Sequence, residues 1–362
     1  MIKNSARTGT RKAKGNRQLW VAGLAFATLV LAACASTSNT VSSTSTPFTG
    51  QPRPVVIDTD MAADDWMAIL YLLQRADVTV TAITVTGAGE AHCEPGTRHA
   101  AGLVALAGES GIPVACGREA PIQGNHVFPE HWRDRVDSLF GLMLPEGAGP
   151  AAGQNAVELL TGVIEASAGE VALLTLGPLT NLAEALEAHP GLVGKIGMVY
   201  TMGGAVEVPG NVGVSGVGID NPVAEWNFYV DPHAASLVFQ FGVPLTLVPL
   251  DATINAPVTS GFYRQLKANH ASPEAGFVYD LLTAQQDFIE AGGYFFWDPL
   301  AAAILTDESL ATFEIRRLSV VEAEGPESGR TTVAEEGAPV RVAKSANRGR
   351  FEQVFLEALN AP

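Results

Sequence analysis

The stretch "VVIDTDMAADD", residues 55–65, decides how this chain is read. Three aliphatic residues, Val55 to Ile57, close a hydrophobic strand, and Asp58, Asp60, Asp64 and Asp65 follow at once. Like charges crowded into a half-buried place destabilise one another, so either some of these carboxylates are protonated or a cation sits among them. Downstream, β-branched runs alternate with helical patterns. "PVVIDTD", "VTVTAITVTG", "IPVACG", "VALLTLG", "IGMVYTMGG" and "PLTLVPLD" read as strands; "ADDWMAILYLLQRA", "GTRHAAGLVALAGES", "AVELLTGVIEASA", "NLAEALEAH" and "DPHAASLVFQFG" carry helical spacing. Strands apolar on both faces and joined by crossover helices imply an α/β fold, an open and mostly parallel sheet with helices on both faces. No composition break or internal repeat divides residues 54–362, which are expected to form a single domain. "FEIRRLSVVEAEG" looks like a further hairpin strand and "RFEQVFLEALN" like a closing helix. Residues 118–152 and 204–223, rich in Gly and Pro, read as long loops of the kind that form lids or substrate contacts.

In open parallel sheets ligands collect beyond the carboxyl ends of the strands. Those ends hold the four aspartates, "TLGPLTN", "MGG" with the loop to "AEWNFYVDP", and the later "YFFWDPL". Carboxylates, amides and main-chain carbonyls converge there without a cluster of Cys and His. Oxygen-only donors suit a hard cation, Ca²⁺ or Mg²⁺, and argue against zinc; the isolated His92–Cys93 pair makes no tetrahedral site.

"DTDMAADD" resembles the aspartate signature D-x-D-x-G-x-D-D of the nucleoside hydrolases, calcium-dependent enzymes that cut the N-glycosidic bond of ribonucleosides. "LGPLTNLAEAL", "MGGA", "AEWNFYVDP", "VPLDAT" and "WDPLAAA" recur in that family's order, so the likeness covers roughly 54–360. The resemblance implies a Rossmann-like domain whose Ca²⁺ is held by Asp60, Asp65, Asp298 and the carbonyl of Leu176. Asp60 would also be the base that takes a proton from a calcium-bound water. Asp64, Asn211, Glu225 and Asn227 would hold the ribose hydroxyls, Met202 would lie along the sugar, and Asp58 would support the loop. Ca²⁺ accepts seven or eight oxygens in flexible geometry, which leaves room for a sugar diol beside a water.

The sequence also departs from that pattern. Related enzymes place a His before the last calcium aspartate, where it helps to protonate the departing base; this chain has Trp297, which can stack on a base but donates no useful proton. Ala62 replaces the signature glycine. "GAGEAHC" stands where many relatives have Gly-Asn, leaving Glu90 or His92 to take over a substrate contact, or both to be ordinary loop residues. Residues 126–145 occupy the place of the mobile substrate loop. Their aromatics and His131 either close over a base or pack down as a surface loop. Trp226, Phe295 and Phe296 read as core.

The first fifty residues point to the cell envelope. A cationic run precedes "LWVAGLAFATLVLAA", and "LAAC" resembles the bacterial lipoprotein box, with Cys34 the acylated residue. Residues 1–33 are thus expected to be a signal peptide and 34–53 a Ser/Thr tether, placing the domain outside a bacterial membrane. The whole chain carries a formal charge of −16, and losing the signal's cations makes it more acidic still, which excludes nucleic acid as the expected partner. Cys93 and Cys116 remain, either paired or free. Enzymes of this size are often symmetric homo-oligomers, although no stretch marks an interface. Two other readings compete: a non-catalytic lipoprotein that captures nucleoside or ribose on the same fold, and a phosphohydrolase opening on "DxD". The second expects Thr or Val where Ala62 stands and a downstream Lys motif that is not evident.

Overall fold

The computed structural model describes residues 50–148 and 154–361, so the expected signal peptide, Cys34 and the tether up to residue 49 lie outside the described residues. Its strands are β1 (Arg53–Thr59), β2 (Val78–Val85), β3 (Val114–Cys116), β4 (Val171–Thr175), β5 (Ile196–Met202), β6 (Leu245–Val248), β7 (Ala311–Val320), β8 (Thr331–Val333) and β9 (Ala338–Ala346). They form one sheet in the order β3-β2-β1-β4-β5-β6-β9-β7-β8. Pairing is parallel from β3 across to β9, and antiparallel where β7 meets β9 and β8. This is the α/β architecture expected from the alternating runs.

Both faces are buried, and β1 shows why its sequence has no polar alternation. Val55 and Ile57 enter one core, and Val56 enters the other. Burying each such side chain stabilises the fold by roughly 1.5–3 kcal/mol, so the strand carrying the aspartates is among the most firmly anchored elements. Strand order reverses beside β1: β2 and β3 lie to one side and β4 to β6 to the other. A crevice opens at such a switch point, outside the carboxyl ends of β1 and β4.

Three helices, Ser260–Ala268, Pro273–Ala284 and Gln286–Glu290, fill the region between β6 and the "WDP" segment, beyond the helices read from periodicity. The second has a legible start, Ser272 capping the N–H of Ala275 before Pro273. A further helix, Glu130–Asp137, lies inside the stretch read as a loop; it buries only Arg133 and Val136, too little for an apolar stripe. Residues 204–223 form neither strand nor helix and fold back on themselves through Gly210 N–H to Pro222 O at 2.9 Å and Asn211 N–H to Ala224 O at 3.0 Å. Cys93 and Cys116 are joined in a disulfide, which ties the start of helix Cys93–Leu106 to the end of β3.

Candidate functional site

Two helix N-termini converge at the switch point. Helix Ala63–Leu73 follows β1 directly and carries Asp64 and Asp65 in its first turn; helix Trp297–Thr306 carries Asp298 in its own. Unpaired N–H groups and the helix dipole favour carboxylates at such ends. One oxygen each of Asp64, Asp65 and Asp298 lie within 4.8 Å of one another, all three residues buried. Asp65 Oδ1 accepts the hydroxyl of Thr59 and the N–H of Asp60. The second oxygen of Asp65 and Oδ1 of Asp298 have no hydrogen-bond partner. Buried carboxylate oxygens without partners are costly, and a hard divalent cation is the ligand that such an all-oxygen set fits.

Asp60 sits beside this group with its carboxylate held from the other side, by the N–H of Glu90 at 3.1 Å and of Ala62 at 3.4 Å. Two glycines press on it. A Cβ at Gly89 would lie 2.0 Å from the Asp60 Cβ, and one at Gly177 would lie 2.6 Å away, so neither position tolerates a side chain. Burial, with the Asp64 charge added, pushes Asp60 up to about 7, against the pull of its two N–H donors. Burial also pushes Asp64 up to about 6. Asp65 and Asp298 are raised well above the usual carboxylate range by burial and by the neighbouring carboxylates. Four carboxylates buried this close together repel one another when ionised, and a cation among them would favour their charged forms.

The residues expected to hold the sugar come next. Glu225 caps helix Trp226–Val230, accepting the N–H groups of Asn227, Phe228 and Gly204, and burial raises it to about 7. Asn227 donates to the Leu176 carbonyl at 2.8 Å and the Met202 carbonyl at 3.3 Å, tying the ends of β4 and β5 together. Asn211 accepts the Trp226 N–H at 3.1 Å. Asp58 accepts Thr84 Oγ1 at 2.6 Å and Asn181 Nδ2 at 2.8 Å, contacts that tie the end of β1 to β2 and to helix Thr180–Ala188. Burial raises its pKa to about 6, with those two donors opposing. Asp60, Asp64, Leu176, Met202, Asn211, Glu225, Asn227, Trp297 and Asp298 all line one cavity of about 780 Å³. Aromatic rings, with Arg135 and Gln285 among the polar members, make up much of the rest of its wall: Phe128 stacks on Trp226 at 5.1 Å, Trp132 meets Trp226 edge-on at 5.2 Å, and Phe295 and Tyr294 flank Trp297.

Residues 55–353 match the family model of the inosine-uridine preferring nucleoside hydrolases. The chain belongs to that family. It is 35% identical over 230 residues to the pyrimidine-specific ribonucleoside hydrolase RihA of Shewanella woodyi, covering 64% of this chain and 70% of that one. It is 31% identical over 281 residues to the probable uridine nucleosidase 1 of Oryza sativa subsp. japonica, covering 76% of this chain and 83% of that one. The crystal structure of an inosine-uridine preferring nucleoside hydrolase from Bacillus anthracis superposes with a TM-score of 0.75 at 25% identity, covering 86% of this chain and 100% of that one. Membership makes the chain an N-glycosyl hydrolase, and it favours an enzyme over the capture protein that the departures had suggested.

Two of the departures from the family pattern have a structural answer. Ala62, where the signature has glycine, lies at φ −61 and ψ 168, extended backbone that any residue adopts. The left-handed residue is its neighbour Met61, at φ 60, whose carbonyl accepts Trp66 Nε1 at 2.9 Å. Glu90 lines the cavity, whereas His92 turns away to pair with Asp137 at 2.6 Å. His131 is exposed, and no histidine is among the described residues that line the cavity. Phe296 is core, as expected, and Trp226 is buried in a core cluster while also bordering the cavity; Phe295 is half-buried and lines the cavity. Two features escaped the sequence reading: the membership of Asp64 in the tight carboxylate cluster, and Tyr294, visible in "GGYFFWDP" only as one aromatic among several.

Proposed function

We propose that this chain hydrolyses the N-glycosidic bond of ribonucleosides to free base and ribose, that it needs Ca²⁺, and that uridine is the first substrate to try. The observation that carries the reading is the Asp64, Asp65 and Asp298 cluster, with its two orphaned oxygens, beside the cavity that Asp60 lines. The names of the relatives described above, each containing pyrimidine or uridine, support the choice of substrate. Asp60, Asp65, Asp298 and the Leu176 carbonyl would hold the ion, with Asp64 adjoining. When bound, the cation supplies positive charge that makes a water easier to deprotonate and anchors a vicinal diol. Asp60 receives the proton of the attacking water. Asp64, Asn211, Glu225 and Asn227 orient the ribose hydroxyls, and Met202 packs along the sugar. The buried carboxylates stabilise the positive charge that develops on C1′ and the ring oxygen. Trp297 and its aromatic neighbours take the base and exclude water.

The test is base release from a panel of purine and pyrimidine ribonucleosides, with Ca²⁺ and with chelator, alongside Asp60→Asn. Calcium-dependent release abolished by the substitution is the expected result. Release that persists in chelator, or in Asp60→Asn, overturns the assigned roles.

We also propose that the chain is exported and acylated at Cys34. The Cys93–Cys116 bridge supports this, because disulfides persist outside the reducing cytosol. Expression in a bacterial host should place the full chain in the membrane fraction, and Cys34→Ser should release it. A Cys34→Ser chain that fractionates like the unaltered one refutes the anchor.

A further inference from the structure

Tyr294 is one of the residues that line the cavity, and its hydroxyl is buried with no hydrogen-bond partner. Buried polar groups are nearly always paired, so an orphaned donor on a residue of the cavity wall needs an explanation. Its ring is held in place rather than loosely packed. Phe288 stacks on one side at 5.5 Å and Trp297 lies on another at 5.8 Å. The backbone around it is pinned by Val258 N–H to the Tyr294 carbonyl at 2.9 Å and by Phe296 N–H to the Ala256 carbonyl at 2.8 Å. The phenol is also protonated at neutral pH: burial raises it well above its usual value, and the charges of Asp64, Glu90, Asp298 and Asp65 add to the effect. It is therefore a fixed O–H donor, next to carboxylates, in a cavity whose described lining contains no histidine. Tyr294 lies three residues before Trp297, the position at which the chain lacks an imidazole for the departing base.

We propose that Tyr294 is the leaving-group residue of this hydrolase, donating its phenolic O–H to an acceptor atom of the departing base. The inference rests on the nucleoside-hydrolase reading above. As the C1′–N bond breaks, its electron pair passes to the base nitrogen and spreads onto the ring carbonyl oxygens. The phenol stabilises that negative charge by hydrogen bonding. The attacking water forms the new C1′–O bond and gives its proton to Asp60, while the released base anion takes a proton from solvent. A donor fixed before the reaction costs no reorganisation when charge appears, and removing one such donor typically slows a reaction by about 100-fold.

Tyr294→Phe deletes only the hydroxyl, and because that hydroxyl has no partner its loss leaves the fold intact, with a melting temperature equal to or above the wild type. The measurement is kcat for wild type and Tyr294→Phe, in Ca²⁺, on three ribosides of rising leaving-group acidity: uridine, 5-fluorouridine and p-nitrophenyl β-D-riboside. The expected loss is about 100-fold on uridine, smaller on 5-fluorouridine and smallest on the nitrophenyl riboside. An equal loss on all three assigns the hydroxyl to the sugar and overturns the proposal, as does no loss on uridine. A wild-type enzyme that turns over none of the three overturns the hydrolase reading and this inference with it.

Discussion

The two ends of the cavity are built on different principles. At the carboxylate end, Asp60, Asp64, Asp65 and Asp298 stand at a strand terminus and two helix starts, each fixed by backbone that the core anchors. At the aromatic end, Phe128, Trp132, Trp226 and Tyr294 come from loops and short helices, while Trp297 opens the helix that carries Asp298; Trp226 holds Phe128 and Trp132 by ring contacts, and Tyr294 meets Trp297. The first arrangement is electrostatically strained and geometrically rigid. The second is apolar and can be repacked without disturbing the sheet. On the proposed mechanism, water activation belongs at the first end and leaving-group recognition at the second.

The largest effect should come from the carboxylate end. Asp298→Asn removes a charge from the cluster and is expected to lower kcat on a ribonucleoside by about 1000-fold or more, with loss of Ca²⁺ affinity by calorimetry. Activity within tenfold of wild type would remove Asp298 from the ion's ligands and break the contrast between the two ends.

Chelation should act on stability, with a definite sign. Burial raises Asp60 to about 7 and Asp64 to about 6, from an ordinary 3.8. An acid whose folded pKa lies above its unfolded value binds more protons when folded, so stability falls as pH rises between the two values. The stripped protein should therefore lose melting temperature as pH rises from about 4 to about 7, and added Ca²⁺ should abolish that slope. Parallel curves with and without Ca²⁺ would show that no cation relieves the cluster.

A smaller effect is expected at the aromatic end. Trp132 is half-buried and meets Trp226 in the cavity wall, so Trp132→Ala should raise KM about tenfold, with kcat changing less. A fall in kcat with KM unchanged would instead make this wall part of the transition-state machinery. Smallest of all, His92→Ala should leave kcat within twofold and cost at most about 1 kcal/mol, because His92 spends its ring on a partly exposed pair with Asp137. A large loss of kcat would return His92 to the substrate contacts.

The strands, the parallel sheet and the carboxylate end were legible because their signals are local. An apolar run predicts a strand buried on both faces, and aspartates at its end predict a site at the sheet's edge. Helix Glu130–Asp137 was not legible, because a polar segment that buries only Arg133 and Val136 shows no helical stripe. The pairing of Cys93 with Cys116 was likewise open, since only the docking of helix Cys93–Leu106 beside β3 brings them together.

By itself, then, the sequence determined the α/β class, the family and the residues at the strand ends, since periodicity and ordered motifs are properties of neighbours along the chain. Only the tertiary structure decided that Asp64 joins Asp65 and Asp298, that His92 turns away, and that Tyr294 stands in the cavity wall with its buried hydroxyl unpaired. The first joins segments 234 residues apart and the second a pair 45 residues apart, and the third turns on which donors are already used; none of these is written in local pattern.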